Sequence, residues 1–211
     1  MPFRNRAITK EIQDTLTPAL VLQDFLDGNE RFTKDAVHAV DHKALISQTV
    51  AGQYPKAIVL SCIDSRVPVE LIFDQAIGDV FVARVAGNFE NTDILGSMEY
   101  SCKIAGSKLI VVLGHENCGA IGAACDGVTL GNITSMLQNI APAVAMSTRE
   151  VSGVHNSSNS AFVLQTVQNN VRLTIQRIRE KSAILKEMEV NSAIKIVGGV
   201  YSLRTGKVTM L

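Results

Sequence analysis

Neither sign of charge is in excess in this sequence. Twenty Lys and Arg face twenty Asp and Glu, a formal net charge of +0. The basic surplus that marks nucleic-acid or anionic-membrane binders is missing. No run of about 18 apolar residues occurs, so no transmembrane helix is expected. The opening stretch, MPFRNRAITKEIQDTL, has basic residues but no apolar core segment, so it does not read as a secretory signal. A leader removed beforehand would leave no trace in it. Cysteine is scarce: Cys62, Cys102, Cys118 and Cys125 are the four in 211 residues. That is too few for a disulfide framework, and a reducing, cytoplasmic setting is expected. No C-x-x-C is present for redox exchange. No G-x-G-x-x-G follows an apolar run, and the glycines of LGHENCG lack the Gly-Lys-Ser/Thr ending of a phosphate loop.

What is present is a core. The chain is 46% hydrophobic and 19% charged, with mean hydropathy +0.19, which argues for a packed interior and against disorder. Residues 17–34 predict an amphipathic helix, with Pro18 in its first turn and Leu22, Phe25, Leu26 and Phe32 as its apolar stripe. AIVLS (57–61), DVFVARV (79–85) and KLIVVLG (108–114) predict buried strands, with a helix over 92–106 between the last two. A long helix is predicted over 160–181, where Leu164, Val167, Val171, Ile175 and Ile178 recur at steps of three and four. A strand follows over 193–203. The turn at 204–207 then lets VTML pair back as an edge strand. The alternation predicts an α/β fold with a mainly parallel central sheet flanked by helices. No repeat or low-complexity tract appears, the polar stretch 149–160 reads as a loop, and a single domain over 1–211 is expected.

Open parallel sheets bind ligands beyond the carboxyl ends of their strands. Cys62 directly follows the first predicted strand and His115 the third. If those strands are neighbours, both side chains emerge at one edge. Cys118 then opens the next helix, where a thiol ionises readily. Together they make a Cys2His set suited to Zn²⁺, and three ligands leave a fourth position for catalysis. Cys125 lies roughly 10 Å along the helix from Cys118, too far to share the ion, and both Cys125 and Cys102 read as core residues. His38, His42 and His155 lie in polar stretches and read as surface histidines. In Cys62-Ile-Asp-Ser-Arg66, Asp64 is close enough to serve as fourth ligand or to hydrogen-bond whatever fills that position. Arg66 is placed to pair with it and hold it off the metal. A cysteine-phosphatase loop needs more residues between its cysteine and arginine than the three found here.

These motifs carry a resemblance. Cys62-x-Asp64-Ser65-Arg66, followed about fifty residues later by His115-x-x-Cys118-Gly119, resembles the β-class carbonic anhydrases. So do NERF, FVARVAGN, GSMEY and KIVGGVYSLRTGKV, so that the similarity covers nearly the whole chain. It implies four parallel strands plus an edge strand, an N-terminal helical arm (1–50) that embraces a partner subunit, and a zinc-binding core (51–211). It implies Cys62, His115 and Cys118 as ligands of one zinc per chain, with Asp64 and Arg66 as a catalytic dyad. The implied reaction is the reversible hydration of carbon dioxide to bicarbonate and a proton by a zinc-activated hydroxide.

Gln53, Phe81 and Tyr100 match the cleft-lining positions of the plant-like branch of that family. There the glutamine hydrogen-bonds substrate, and the aromatic residues line an apolar cleft at a dimer interface. Read as residues alone, Phe81 and Tyr100 suit a core and Gln53 a surface. The branch with an inhibitory bicarbonate pocket uses a tryptophan, and this chain has none. The backbone N–H of Gly119 is a further candidate to place a substrate oxygen. A homodimer or dimer of dimers is implied. Three other functions stay open at this point: a CS₂ or COS hydrolase on the same scaffold, a binding protein with a structural zinc, and a metal-free cysteine enzyme.

Overall fold

The computed structural model describes residues 6–211, so the first five residues of the expected N-terminal arm lie outside the described residues. The chain runs α1 (Lys10–Thr15), α2 (Pro18–Thr33), α3 (His42–Thr49), β1 (Ala57–Ser61), α4 (Val69–Ile72), β2 (Val80–Arg84), α5 (Thr92–Glu99), a π-helical turn (Tyr100–Ile104), β3 (Leu109–His115), α6 (Gly119–Cys125), α7 (Gly131–Gln138), α8 (Ala141–Glu150), α9 (Ser160–Lys181), α10 (Ala183–Val190), β4 (Lys195–Tyr201) and β5 (Val208–Met210). The sheet order is β2-β1-β3-β4-β5. The first four strands are parallel, and β5 pairs antiparallel to β4. This is the expected α/β architecture.

β1 and β3 are buried along their whole length because they lie inside the sheet with helices on both faces. Side chains alternate between those faces. Val59, Leu109 and Val111 pack with Val21 and Phe25 of α2 and with Ile72 and Phe73. Ile58, Leu60, Ile110 and Val112 pack with Met98, Cys102, Val171, Ile178 and Leu185. α9 lies close because Gly114 leaves room: a Cβ there would stand 2.9 Å from methyls of both Val167 and Val171. The predicted ends of this helix hold, with Asn159 capping its first turn through Phe162 N.

Three expectations change. β2 is predicted as a buried strand, but it is a sheet edge and only half-buried. The helix over 92–106 loosens into the π turn at Tyr100. The stripe on α2 packs largely on this chain's own sheet. Phe25 meets Phe73 at 4.8 Å between ring centroids, and Leu22 and Phe32 join the same cluster. No partner is needed to account for it.

Candidate metal centre

β1 and β3 are adjacent, with Ser61 opposite Leu113. Cys62 therefore leaves the sheet at the edge where β3 ends in His115. After His115 the chain turns through Asn117, at φ +50, and Cys118 becomes the N-cap of α6. The ligand atoms of Cys62, His115 and Cys118 all lie within 4.8 Å of one another, and all three residues are buried. The two sulfurs are 3.9 Å apart. Two thiolates sharing a tetrahedral zinc at ~2.3 Å each would stand about 3.8 Å apart.

The histidine fits as well. Its Nδ1 lies 2.8 Å from the Glu116 carbonyl. A carbonyl only accepts, so Nδ1 carries the proton and Nε2 keeps a lone pair. Nε2 is buried and has no hydrogen-bond partner, as a ligand nitrogen should be before its metal is counted. The thiols fit through their charges. The hydrogen bond from Cys118, with help from the Gly87 N–H, lowers the Cys62 thiol pKa. The same pairing, together with burial, pushes the Cys118 thiol up. A first thiolate in the pair thus opposes a second, which works against the ready ionisation expected of Cys118 at its helix N-terminus. The Ile121 and Ala120 backbone N–H groups do lower its pKa, but a buried thiolate already stands beside it. A divalent cation held by the sulfurs would supply the charge that lets both ionise.

Asp64 and Arg66 are joined as expected. Arg66 donates from Nε to Asp64 Oδ1 at 3.0 Å and from Nη2 to Oδ2 at 2.8 Å, and its backbone N–H donates to Oδ1 at 2.9 Å. These bonds hold the Asp64 carboxyl well below the usual carboxylate range. Oδ2 lies 3.9 Å from His115 Nε2. Gly119 begins α6 and lines a cavity of about 440 Å³ with Cys118, Asn117 and Asp126.

The cleft candidates are elsewhere. Phe81 and Tyr100 face each other at 6.3 Å between centroids. They line a cavity of about 720 Å³ whose walls include none of the three ligand candidates. Gln53 is exposed in the segment before β1 and belongs to the wall of neither cavity. Cys102 and Cys125 are core residues, as read: burial raises the Cys102 thiol to about 12, and Cys125 packs beside Ile121 and Phe162. His38, His42 and His155 are exposed.

Sequence reasoning missed Arg84. It donates from Nε to the Cys62 carbonyl at 2.9 Å and from Nη2 to the Asp64 carbonyl at 2.6 Å, clamping the loop that carries both. Its signal was its position: a charged residue at the carboxyl end of a predicted strand, at the same sheet edge.

The family model described as carbonic anhydrase matches residues 57–208. Carbonic anhydrase 2 of Mycobacterium tuberculosis H37Rv is 34% identical over 202 residues, 92% of this chain and 92% of that protein. The carbonic anhydrase of Mycolicibacterium smegmatis is 29% identical over 92% of this chain and 93% of its own length. Among solved structures, Coccomyxa β-carbonic anhydrase in complex with acetazolamide superposes with TM-score 0.72 at 25% identity, covering 90% of this chain and 86% of that one. Kinship in sequence over nearly the full length and the same sheet in space agree: this chain belongs to the β-carbonic anhydrase family and is a carbonic anhydrase.

Proposed function

We propose that this chain hydrates carbon dioxide reversibly at one zinc held by Cys62, His115 and Cys118, with Asp64 and Arg66 as the catalytic dyad. The observation that carries this reading is the convergence of three buried ligand atoms, one of them an orphaned imidazole nitrogen, beside a pinned carboxylate.

When bound, zinc acidifies water and so supplies the nucleophile near neutral pH. Asp64 accepts the hydrogen bond of the attacking oxygen and so directs its lone pair at the carbon of CO₂. It does not keep the proton, because a carboxylate held this acidic by Arg66 is a poor base. The proton therefore leaves by another carrier. The Gly119 N–H is in the first turn of α6, where backbone donors have no intrahelical partner, and it helps place a substrate oxygen.

Gln53, Phe81 and Tyr100 line the substrate cleft in this reading, and a second subunit completes it. β2 is an edge with Val80, Phe81 and Val82 only partly covered, and Tyr100 and Ile104 beside it are exposed. A homodimer or dimer of dimers would cover them. A structure of the same fold from Sordaria macrospora is described as tetrameric. In this reading residues 51–211 are the zinc-binding core of one domain, and the described part of the expected 1–50 arm, residues 6–50, carries α1, α2 and α3. The four free, buried cysteines suit a reducing, cytoplasmic setting. Among the described residues no helix is long and apolar enough to cross a membrane.

Zinc content measured together with stopped-flow CO₂ hydration at alkaline pH tests the proposal. One zinc per chain with sustained hydration is expected. A full zinc complement with no activity at any pH, or turnover of CS₂ or COS in place of CO₂, overturns it. Gln53→Ala and Tyr100→Phe are expected to lower CO₂ hydration about five- to hundredfold while keeping zinc, since each removes one hydrogen bond to a bound oxygen. Wild-type rates in both would make these residues scaffold. Arg84→Ala is expected to weaken zinc binding about tenfold by freeing the Cys62 and Asp64 carbonyls, which a competition titration with a chelator measures.

A further inference from the structure

One buried polar contact reaches the candidate centre from α9, which packs in the same core cluster as Cys62 and Cys118. Gly87 follows β2 in a turn closed by Asn88 N to Val85 O at 2.9 Å. Its N–H points at Cys62 Sγ at 3.4 Å. Its φ is +82, which glycine adopts freely, and a Cβ would stand 2.5 Å from Cδ1 of Ile140. Ile140 is fully buried, so this peptide is boxed in from behind. Its carbonyl accepts a hydrogen bond from Asn170 Nδ2 at 2.8 Å, across 83 residues.

Asn170 is 1% exposed, on a face of α9 whose neighbours Val167 and Val171 belong to the core. Burying an amide there is costly unless the amide is used. Its Oδ1 has no protein partner, so the Nδ2 bond to Gly87 is the contact this side chain makes. Of the two consecutive buried asparagines on α9, the other turns away: Asn169 Nδ2 donates to Ser147 Oγ at 3.0 Å and to Glu150 Oε2 at 2.8 Å.

Resting on the zinc reading above, we propose that Asn170 is a positioning residue for the metal centre: it holds the Gly87 carbonyl and thereby aims the Gly87 N–H at the Cys62 thiolate. Groups that hydrogen-bond a ligand fix its orientation and tune its donor strength, and their loss typically costs ~10–100-fold in metal affinity. The effect passes through one residue, Gly87, whose N–H and C=O belong to the two peptide units that meet at its Cα. Asn170 touches neither metal nor substrate.

The zinc-loaded full-length protein and its Asn170→Ala and Asn169→Ala variants are compared in three measurements: zinc release into excess chelator, the thiolate-to-metal charge-transfer band after cobalt substitution, and thermal midpoint. Asn170→Ala is expected to release zinc about tenfold faster and to shift the cobalt band. Asn169→Ala lowers the thermal midpoint but leaves release and band at wild type, because it does not touch Gly87. Wild-type release and band in Asn170→Ala overturn the proposal. Equal acceleration in both variants also overturns it, since the effect would then be general loosening of α9. If alanine at 170 fails to fold, Asn170→Ser is read by the same criteria, its hydroxyl being too short to reach the Gly87 carbonyl. A wild-type chain that binds no zinc overturns the zinc reading and this inference together. Tight zinc in wild type with no change in the variants overturns this inference alone.

Discussion

Arg66→Ala is expected to keep one zinc per chain and to lose at least about a hundredfold in CO₂ hydration, at the upper end of what removing such a ligand-supporting partner costs. Asp64 Oδ2 lies 3.9 Å from His115 Nε2, and that nitrogen would bind zinc at ~2.1 Å. The carboxylate is therefore within reach of the metal. Arg66 holds both of its oxygens, with three hydrogen bonds of 3.0 Å or less. Without the guanidinium, Asp64 is free to swing onto zinc and close the fourth position. Asp64→Ala separates the two roles: it keeps zinc and the open position but loses the group that orients the nucleophile. Zinc analysis, hydration rates and a crystal structure of the Arg66 variant check this. Asp64 still off the metal in that crystal structure would sink the account of the dyad.

Cys62→Ala or Cys118→Ala is expected to abolish both metal and activity, leaving zinc below about a tenth of an equivalent, since three protein ligands are the minimum for such a site. Each variant also leaves the other sulfur buried beside an orphaned His115 Nε2. Cys102→Ala and Cys125→Ala are the controls. Both remove buried sulfur, yet neither residue belongs to the cluster, so zinc should stay at one per chain. Full zinc occupancy in Cys62→Ala or Cys118→Ala would show that the ligand set is wrong.

The pH profile follows from the same groups. Arg66 holds Asp64 below the usual carboxylate range, so Asp64 is already ionised throughout neutral and alkaline pH. An activity midpoint there belongs to another group. Two thiolates and a neutral imidazole would cancel the charge of a bound zinc, so this donor set would acidify water less than three histidines do. The midpoint is expected above about 7. A midpoint well below that in stopped-flow hydration would contradict the two-thiolate set.

Much of the centre was legible before any fold was known because its signals are local. Cys62 and His115 each end an apolar run, Cys118 opens a helix, and a parallel sheet gathers strand ends at one edge. The ends of α9 were equally plain, from its 3.6-residue periodicity and the change to polar loop. The short helices α7, α8 and α10 were not, since a few weakly patterned turns leave little period to read. The π turn at Tyr100 was hidden for the opposite reason: its residues continue an acceptable helical pattern.

The sequence by itself determined the chemical types available and where they fall on each element: two thiols, an imidazole, a carboxylate and a guanidinium at the ends of apolar strands. Tertiary structure decided what no local pattern encodes. It put β1 beside β3 and left β2 at an edge, although VFVAR is as apolar at its start as its buried neighbours. It set Cys118 beside a second sulfur, whose charge opposes the ionisation that a helix N-terminus alone would favour. It also brought Arg84 and Gly87 to Cys62 across 22 and 25 residues, and Asn170 to Gly87 across 83. Periodicity and capping act over a turn or two of backbone, whereas these contacts exist only once packed layers bring distant segments within hydrogen-bonding distance.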